Sequence, residues 1–231
     1  MSGARRTSLR DRTRQMKILI PTCKPRLALT QLDELEAHSP GHEIVTSCLP
    51  ASAAINRNSC LDHIAPDEVA VMLDDDIGGF DPGWIDDLTR PLSDESVVMV
   101  SARLLTPEGV FGPTCSRCYD ATPEEIEIKS NGECILPTAA IAFRWRGHLF
   151  DEHYLGSGFE DSDWCHQYLR DDPAAKFLQS NRCRLIHWNE MKEQGRHWKH
   201  NRMYFHTKWN GRNRIMRTTT GGIVFEKKSP A

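Results

Sequence analysis

The chain has 231 residues, 39% hydrophobic and 26% charged, which suits one sizeable globular domain, or a domain with a small appendage, and excludes a disordered chain. No apolar run approaches the roughly 20 residues that cross a bilayer, so no membrane span is expected. The net charge of -3 hides an asymmetry: residues 18–175 hold 10 Lys+Arg against 28 Asp+Glu, a balance of -18, while residues 176–217 hold 11 against 2, a balance of +9. Such polarity predicts an acidic metal-binding body and a C-terminal segment that meets anions, whether a diphosphate, a nucleic acid or the acidic body itself.

Residues 1–15 carry five Arg and no apolar core, unlike a secretory signal, and read as a disordered basic leader. A strand is expected over 16–22, a helix over 25–38 and a second strand over 42–48. Residues 51–64 read as a helix with Ser52 as its cap. The apolar run 69–73 predicts a buried third strand. Asp81-Pro82 signals a helix start, Asp at the N-cap and Pro at N1. Strand-like runs follow over 96–104 and 134–143, separated by a long loop over 106–131. A helix opens at Glu160 or Asp161 and ends near Asp172-Pro173. Residues 177–188 carry another strand, residues 197–210 suit an amphipathic basic helix, and 213–231 form a tail. Alternating strands and helices predict an α/β fold with a mainly parallel central sheet flanked by helices. Ligands of such sheets sit at the carboxyl ends of the strands, the edge shared by Pro21-Thr22, Asp74–Asp76 and His187.

Eight Cys without a signal peptide predict a cytoplasmic protein with free thiols. Cys115 and Cys118 have zinc-like spacing, with Cys134 as a third donor, but no second pair completes that site.

Four motifs carry chemistry. Asp74, Asp75 and Asp76 stand directly behind a buried strand, where like charges repel and an unpaired carboxylate tends to neutralise. A hard cation such as Mg2+ or Mn2+ would remove the conflict, with Asp74 and Asp76 as alternate ligands; a solvated acidic turn is the plainer reading. Gly156-Ser157-Gly158-Phe159-Glu160-Asp161-Ser162-Asp163 combines close-approach glycines with acids in a first helical turn, where the helix dipole keeps them ionised. An acid held there suits a general base for a hydroxyl nucleophile, although ordinary capping would use the same residues. His187, at a strand end, would complete a metal shell or sit as a satisfied core histidine. The segment from His197 to Trp209 interleaves bases with aromatics, as nucleic-acid and sugar surfaces do. Its stripe of Trp198, Arg202, Phe205 and Trp209 also fits helix packing.

In this order, Ile20-Pro21-Thr22, Asn56-Arg57-Asn58, Asp74-x-Asp76, Phe150-Asp151-Glu152, Gly158-Phe159-Glu160-Asp161-Ser162-Asp163-Trp164, His187 and Asn201-Arg202-Met203-Tyr204-Phe205…Lys208-Trp209 resemble the motifs of GT-A fold glycosyltransferases, family 2 in particular. The resemblance spans roughly residues 16–212. It implies a Rossmann-like GT-A domain with a basic C-terminal helical segment, binding a nucleotide-diphosphate sugar. It also implies an inverting transfer to an acceptor hydroxyl. Asp76, with Asp74 and His187, would hold the metal. Pro21, Thr22, Arg57, Asp74 and Asp75 would meet the nucleotide. Asp161 would be the base, with Glu160 and Asp163 as rivals. The acidic turn that follows the family's second strand has no counterpart in Thr46–Pro50. The basic aromatic segment suits a polyanionic acceptor, such as DNA bearing hydroxymethylated bases in a phage-infected cell. A nucleotidyltransferase and a non-catalytic nucleic-acid-binding protein are the alternatives.

Overall fold

The computed structural model describes residues 15–109, 124–128, 136–188, 197–210, 213–217 and 223–227. Residues 1–14 of the leader and Cys115, Cys118 and Cys134, with their proposed zinc, lie outside the described residues. The elements run β1 (Lys17–Thr22), α1 (Pro25–His38), β2 (Glu43–Cys48), α2 (Ala53–Leu61), β3 (Val69–Leu73), β4 (Ile77–Gly78) and α3 (Trp84–Thr89). They continue with β5 (Val97–Leu105), β6 (Glu125–Glu127), β7 (Ala140–Arg144), α4 (Glu160–Asp171), β8 (Lys176–His187), α5 (Trp198–Asn210), β9 (Asn213–Arg217) and β10 (Ile223–Lys227).

The main sheet has the order β2-β1-β3-β7-β5-β8-β4, with β6 added on β8. β1 pairs parallel with β2 and β3, and β5 pairs parallel with β8. β7 is inserted antiparallel between β3 and β5. β1, β2, β3, β5 and β8 therefore share one direction. β1 and β3 read as continuous apolar runs because both faces are covered. Ile18 and Ile20 join Leu35 of α1 and Leu88 of α3 in one core, whereas Leu19 and Met72 join Leu61 of α2 and Trp164 of α4 in the other. Alternate side chains of one strand thus feed two helical layers. α5 lies outside these layers, on a third cluster of Tyr154, Tyr204 and Phe205. β9 and β10 form a separate antiparallel hairpin within the expected tail.

Ser52 caps α2 as expected, its hydroxyl accepting from Ile55 N at 3.4 Å. Three local expectations change. α3 begins at Trp84, not at Pro82, because Gly83 takes a φ of 85° and stands outside the helix as its N-cap. Asp81 instead closes a turn, its carbonyl accepting from Trp84 N at 3.1 Å. The strand expected over 134–143 spans Ala140–Arg144 and runs against its neighbours. Within the stretch read as a loop, Glu125–Glu127 pairs with β8; its two glutamates have low strand propensity and the signal comes from the partner strand.

Candidate active site

The carboxyl ends of β1, β3 and β8 meet at one edge, and the turn after β3 is fixed there by backbone bonds. Asp74 N donates to the Ala139 carbonyl at 2.8 Å, and Gln31 Nε2 donates to the Asp74 carbonyl at 2.8 Å. Trp188 N donates to the Asp76 carbonyl at 2.9 Å. β4 follows at once and pairs Ile77 opposite His187, so the ladder itself sets the histidine beside the acids. His187 Nε2 lies 3.2 Å from Asp76 Oδ1. Ligand atoms of Asp74, Asp76 and His187 all lie within 4.8 Å of one another. Two carboxylate oxygens and an imidazole nitrogen are a donor set that suits Mg2+ or, with the nitrogen, Mn2+. Asp75 turns the other way and accepts from the Thr22 hydroxyl; burial raises its carboxyl above the usual range against that hydrogen bond, and Asp76 and Asp74 add to the rise.

Opposite this group stands the first turn of α4. Glu160 is 3% exposed and accepts from Arg57 Nη1 at 2.6 Å. Arg57 Nη2 reaches Asp74 Oδ1 at 3.0 Å. One guanidinium from α2 therefore ties the end of β3 to the start of α4. Burial acts against its charge, but Asp74, Glu160 and Asp161 together hold it ionised above its ordinary range. Asp161 is half-buried and accepts from Ser162 N at 2.7 Å. Burial, then the neighbouring Glu160 charge, push its carboxyl up to about 7, with Arg57 pulling the other way. A carboxyl poised there can take a proton near neutral pH.

Asp163, two residues on, has a different environment. It is fully buried and contacted by Lys208 Nζ at 2.8 Å, Trp209 Nε1 at 2.7 Å, Tyr154 Oη at 3.2 Å and Gln167 Nε2 at 3.1 Å. Lys208 also reaches Asp151 Oδ2 at 2.7 Å, where Tyr204 Oη donates at 2.8 Å. The basic helix α5 is thus partly spent on the protein's own acids. The charge asymmetry offered the acidic body as a partner for this segment, but not which residues pair. The signal for that pairing was the spacing of Asn201, Tyr204 and Lys208, which share one face of a helix.

These groups border a cleft of about 860 Å³. Pro21, Thr22 and Lys24 line its β1 side, Asn56 and Arg57 its α2 side, and Gly156 to Asp161 with Trp198 the far wall. Of the residues that the sequence nominated for the site, Pro21, Thr22, Arg57, Asp74, Asp75, Asp76, Glu160, Asp161 and His187 border this one space, whereas Asp163, a rival base, is buried away from it.

Neither a comparison with known protein families nor a search of curated proteins finds a match to this sequence. Solved structures do match. A mycobacterial protein aligns with a TM-score of 0.54 at 14% identity, over 93% of this chain and 84% of that one. A protein from STIV aligns with a TM-score of 0.50 at 12% identity, over 94% and 96%. GalNAc-T7, solved with UDP, GalNAc and Mn2+, aligns with a TM-score of 0.51 at 12% identity, over 83% of this chain and 41% of that one. These likenesses establish an α/β fold of the GT-A, Rossmann-like type.

Proposed function

We propose that this protein is a metal-dependent glycosyltransferase that moves a sugar from a nucleotide-diphosphate sugar to an acceptor hydroxyl. The observation that carries the reading is the convergence of Asp74, Asp76 and His187 on one side of a cleft whose other side presents Asp161. The likeness in fold to GalNAc-T7, whose structure holds UDP, GalNAc and Mn2+, supports the same assignment.

Asp76, His187 and the second oxygen of Asp74 would hold Mn2+ or Mg2+. When bound, the cation supplies charge stabilisation to the departing diphosphate. Pro21, Thr22 and Asp75 border the β1 side of the cleft and would meet the nucleoside. Asp161 accepts the acceptor hydroxyl's proton as that oxygen bonds to the anomeric carbon. The bond from that carbon to the diphosphate oxygen breaks, and the nucleoside diphosphate leaves with the electron pair. A single base on the face opposite the leaving group inverts the anomeric centre. Glu160 is a poorer base, because the Arg57 ion pair holds it. Asp163 is excluded by its buried contacts with Lys208 and Trp209. Arg57 is likewise engaged by two carboxylates, so it positions the acids rather than binding diphosphate.

The test is turnover of a panel of nucleotide sugars with Mn2+, read as release of nucleoside diphosphate. One donor should be consumed, and Asp161→Asn should lose about 10²–10⁴-fold in kcat with donor binding kept. Unchanged kcat in that variant would remove Asp161 as the base. No consumption of any donor would remove the transferase reading.

A further inference from the structure

The far wall of the cleft stands opposite the Asp74, Asp76 and His187 group and is built on two glycines. Gly156 and Gly158 take φ of 61° and 106°, and Phe159 takes 72°, a conformation that costs a side chain about 1 kcal/mol or more. A Cβ on Gly156 would lie 3.1 Å from His197 Cδ2, and one on Gly158 would lie 3.7 Å from Trp198 Cδ1. Gly158 is required by its backbone angle, and Gly156 lets this loop lie directly against the start of α5. Asn201, fully buried, holds it there: its Nδ2 donates to the carbonyls of Leu155 and Gly158 at 2.9 Å each, and its Oδ1 accepts from Leu155 N at 3.0 Å. The result is a fixed indole at the cleft. Trp198 borders the cleft with Asp161, braced edge-on by Phe159 at 5.5 Å between ring centroids, with the Arg202 guanidinium 5.4 Å from its own centroid.

We infer that Trp198, with the Gly156–Phe159 loop, is the acceptor-binding wall, and that the acceptor is a neutral sugar ring stacked on the indole. The inference rests on the transferase reading. The ring hydrogens on one face of a pyranose carry slight positive charge and suit the negative face of an indole, and ring stacking leaves a hydroxyl to meet Asp161. Electrostatics decides between a sugar and a nucleic-acid strand. Five carboxylates border the cleft, those of Asp74, Asp75, Asp76, Glu160 and Asp161. Of the lysines and arginines among the described lining residues, Arg57 is already held by two of these acids and Lys24 is the other. A chain of phosphates would approach a surface of its own sign. Of the basic helix, Lys208 is bound to Asp151 and Asp163 and is lost to a polyanionic acceptor, which would still meet the exposed Lys199 and Arg202.

The experiment is saturation-transfer NMR on the full chain. Mg2+ replaces paramagnetic Mn2+, and UDP, GDP and ADP are offered in turn. The probes are methyl β-glucoside, β-galactoside and α-mannoside, with a thymidine decamer as the polyanion. A glycoside should bind the wild type, weaken about tenfold in Trp198→Ala and recover in large part in Trp198→Phe, with nucleoside diphosphate binding equal in all three. Glycoside binding that survives Trp198→Ala, or decamer binding in place of the glycosides, would overturn the inference. So would wild-type protein that binds a diphosphate but none of the glycosides. Failure to bind any diphosphate would instead overturn the transferase reading beneath it.

Discussion

Two groups of acids in this protein, two residues apart where Asp161 and Asp163 stand, are treated in opposite ways. Asp151 and Asp163 sit under α5, where a lysine, an indole N–H, tyrosine hydroxyls and an amide are directed at them. Asp74, Asp76, Glu160 and Asp161 border the cleft, where one arginine is shared between two of them and carboxylates face each other. The difference teaches how to tell a structural acid from a chemical one. Both kinds are costly to bury; the first is met by a lysine, an indole and hydroxyls, whereas the second shares one arginine and one histidine among four carboxylates.

The contrast is broken most severely by exchanging one acid on each side. Asp163→Asn should leave Lys208 and Trp209 with a weaker acceptor in a dry site and cost about 3–5 kcal/mol, measured by urea unfolding. It should leave the remaining folded protein able to bind donor. Asp161→Asn should do the reverse, sparing stability and losing turnover. Equal loss of stability in the two variants would erase the distinction.

The pH dependence sharpens the comparison, because the two groups carry opposite signs. Burial works to raise the Asp151 carboxyl, but Lys208, the His153 N–H and Tyr204 hold it well below its ordinary 3.8. Its contribution to stability is therefore present above about pH 4 and lost as the pH falls through the acid range. Asp161, raised from 3.8 to about 7, contributes below about pH 4 and loses that contribution as the pH climbs through 7. Unfolding curves should show Asp151→Asn losing stability at pH 7, with the loss shrinking in acid. Asp161→Asn should gain stability at pH 8, with the gain gone near pH 4. Turnover by the wild type should fall below about pH 7 as the base is protonated.

The sequence made the cleft side of this contrast legible and the α5 side obscure. Asp74-x-Asp76 could be read because an apolar strand runs straight into it, and a strand end in an α/β sheet is a defined place. His187 could be read for the same reason, and the pairing of Ile77 with His187 adds the reason it lies close. What separates Asp161 from Asp163 was not legible. Both stand in the first turn of α4, and which one faces Lys208 and Trp209 depends on where α5 docks, some forty residues away. The same remoteness hid the use of α5. Its bases alternate with aromatics as a nucleic-acid surface would, yet Tyr204 and Phe205 are buried and Lys208 is paired with Asp151 and Asp163. β7 read as a strand, but its reversed direction follows from the partners on either side, not from its own residues.

Asp74, Asp76 and His187 are proposed to form a metal site for a diphosphate. That assignment is tested most directly by titrating Mn2+ into the wild type and Asp76→Ala by calorimetry, alone and with UDP, GDP or ADP. One diphosphate and the metal should tighten each other's binding in the wild type, and Asp76→Ala should weaken the joint binding about a hundredfold or more while the protein stays folded. Joint binding that survives in Asp76→Ala would contradict the assignment.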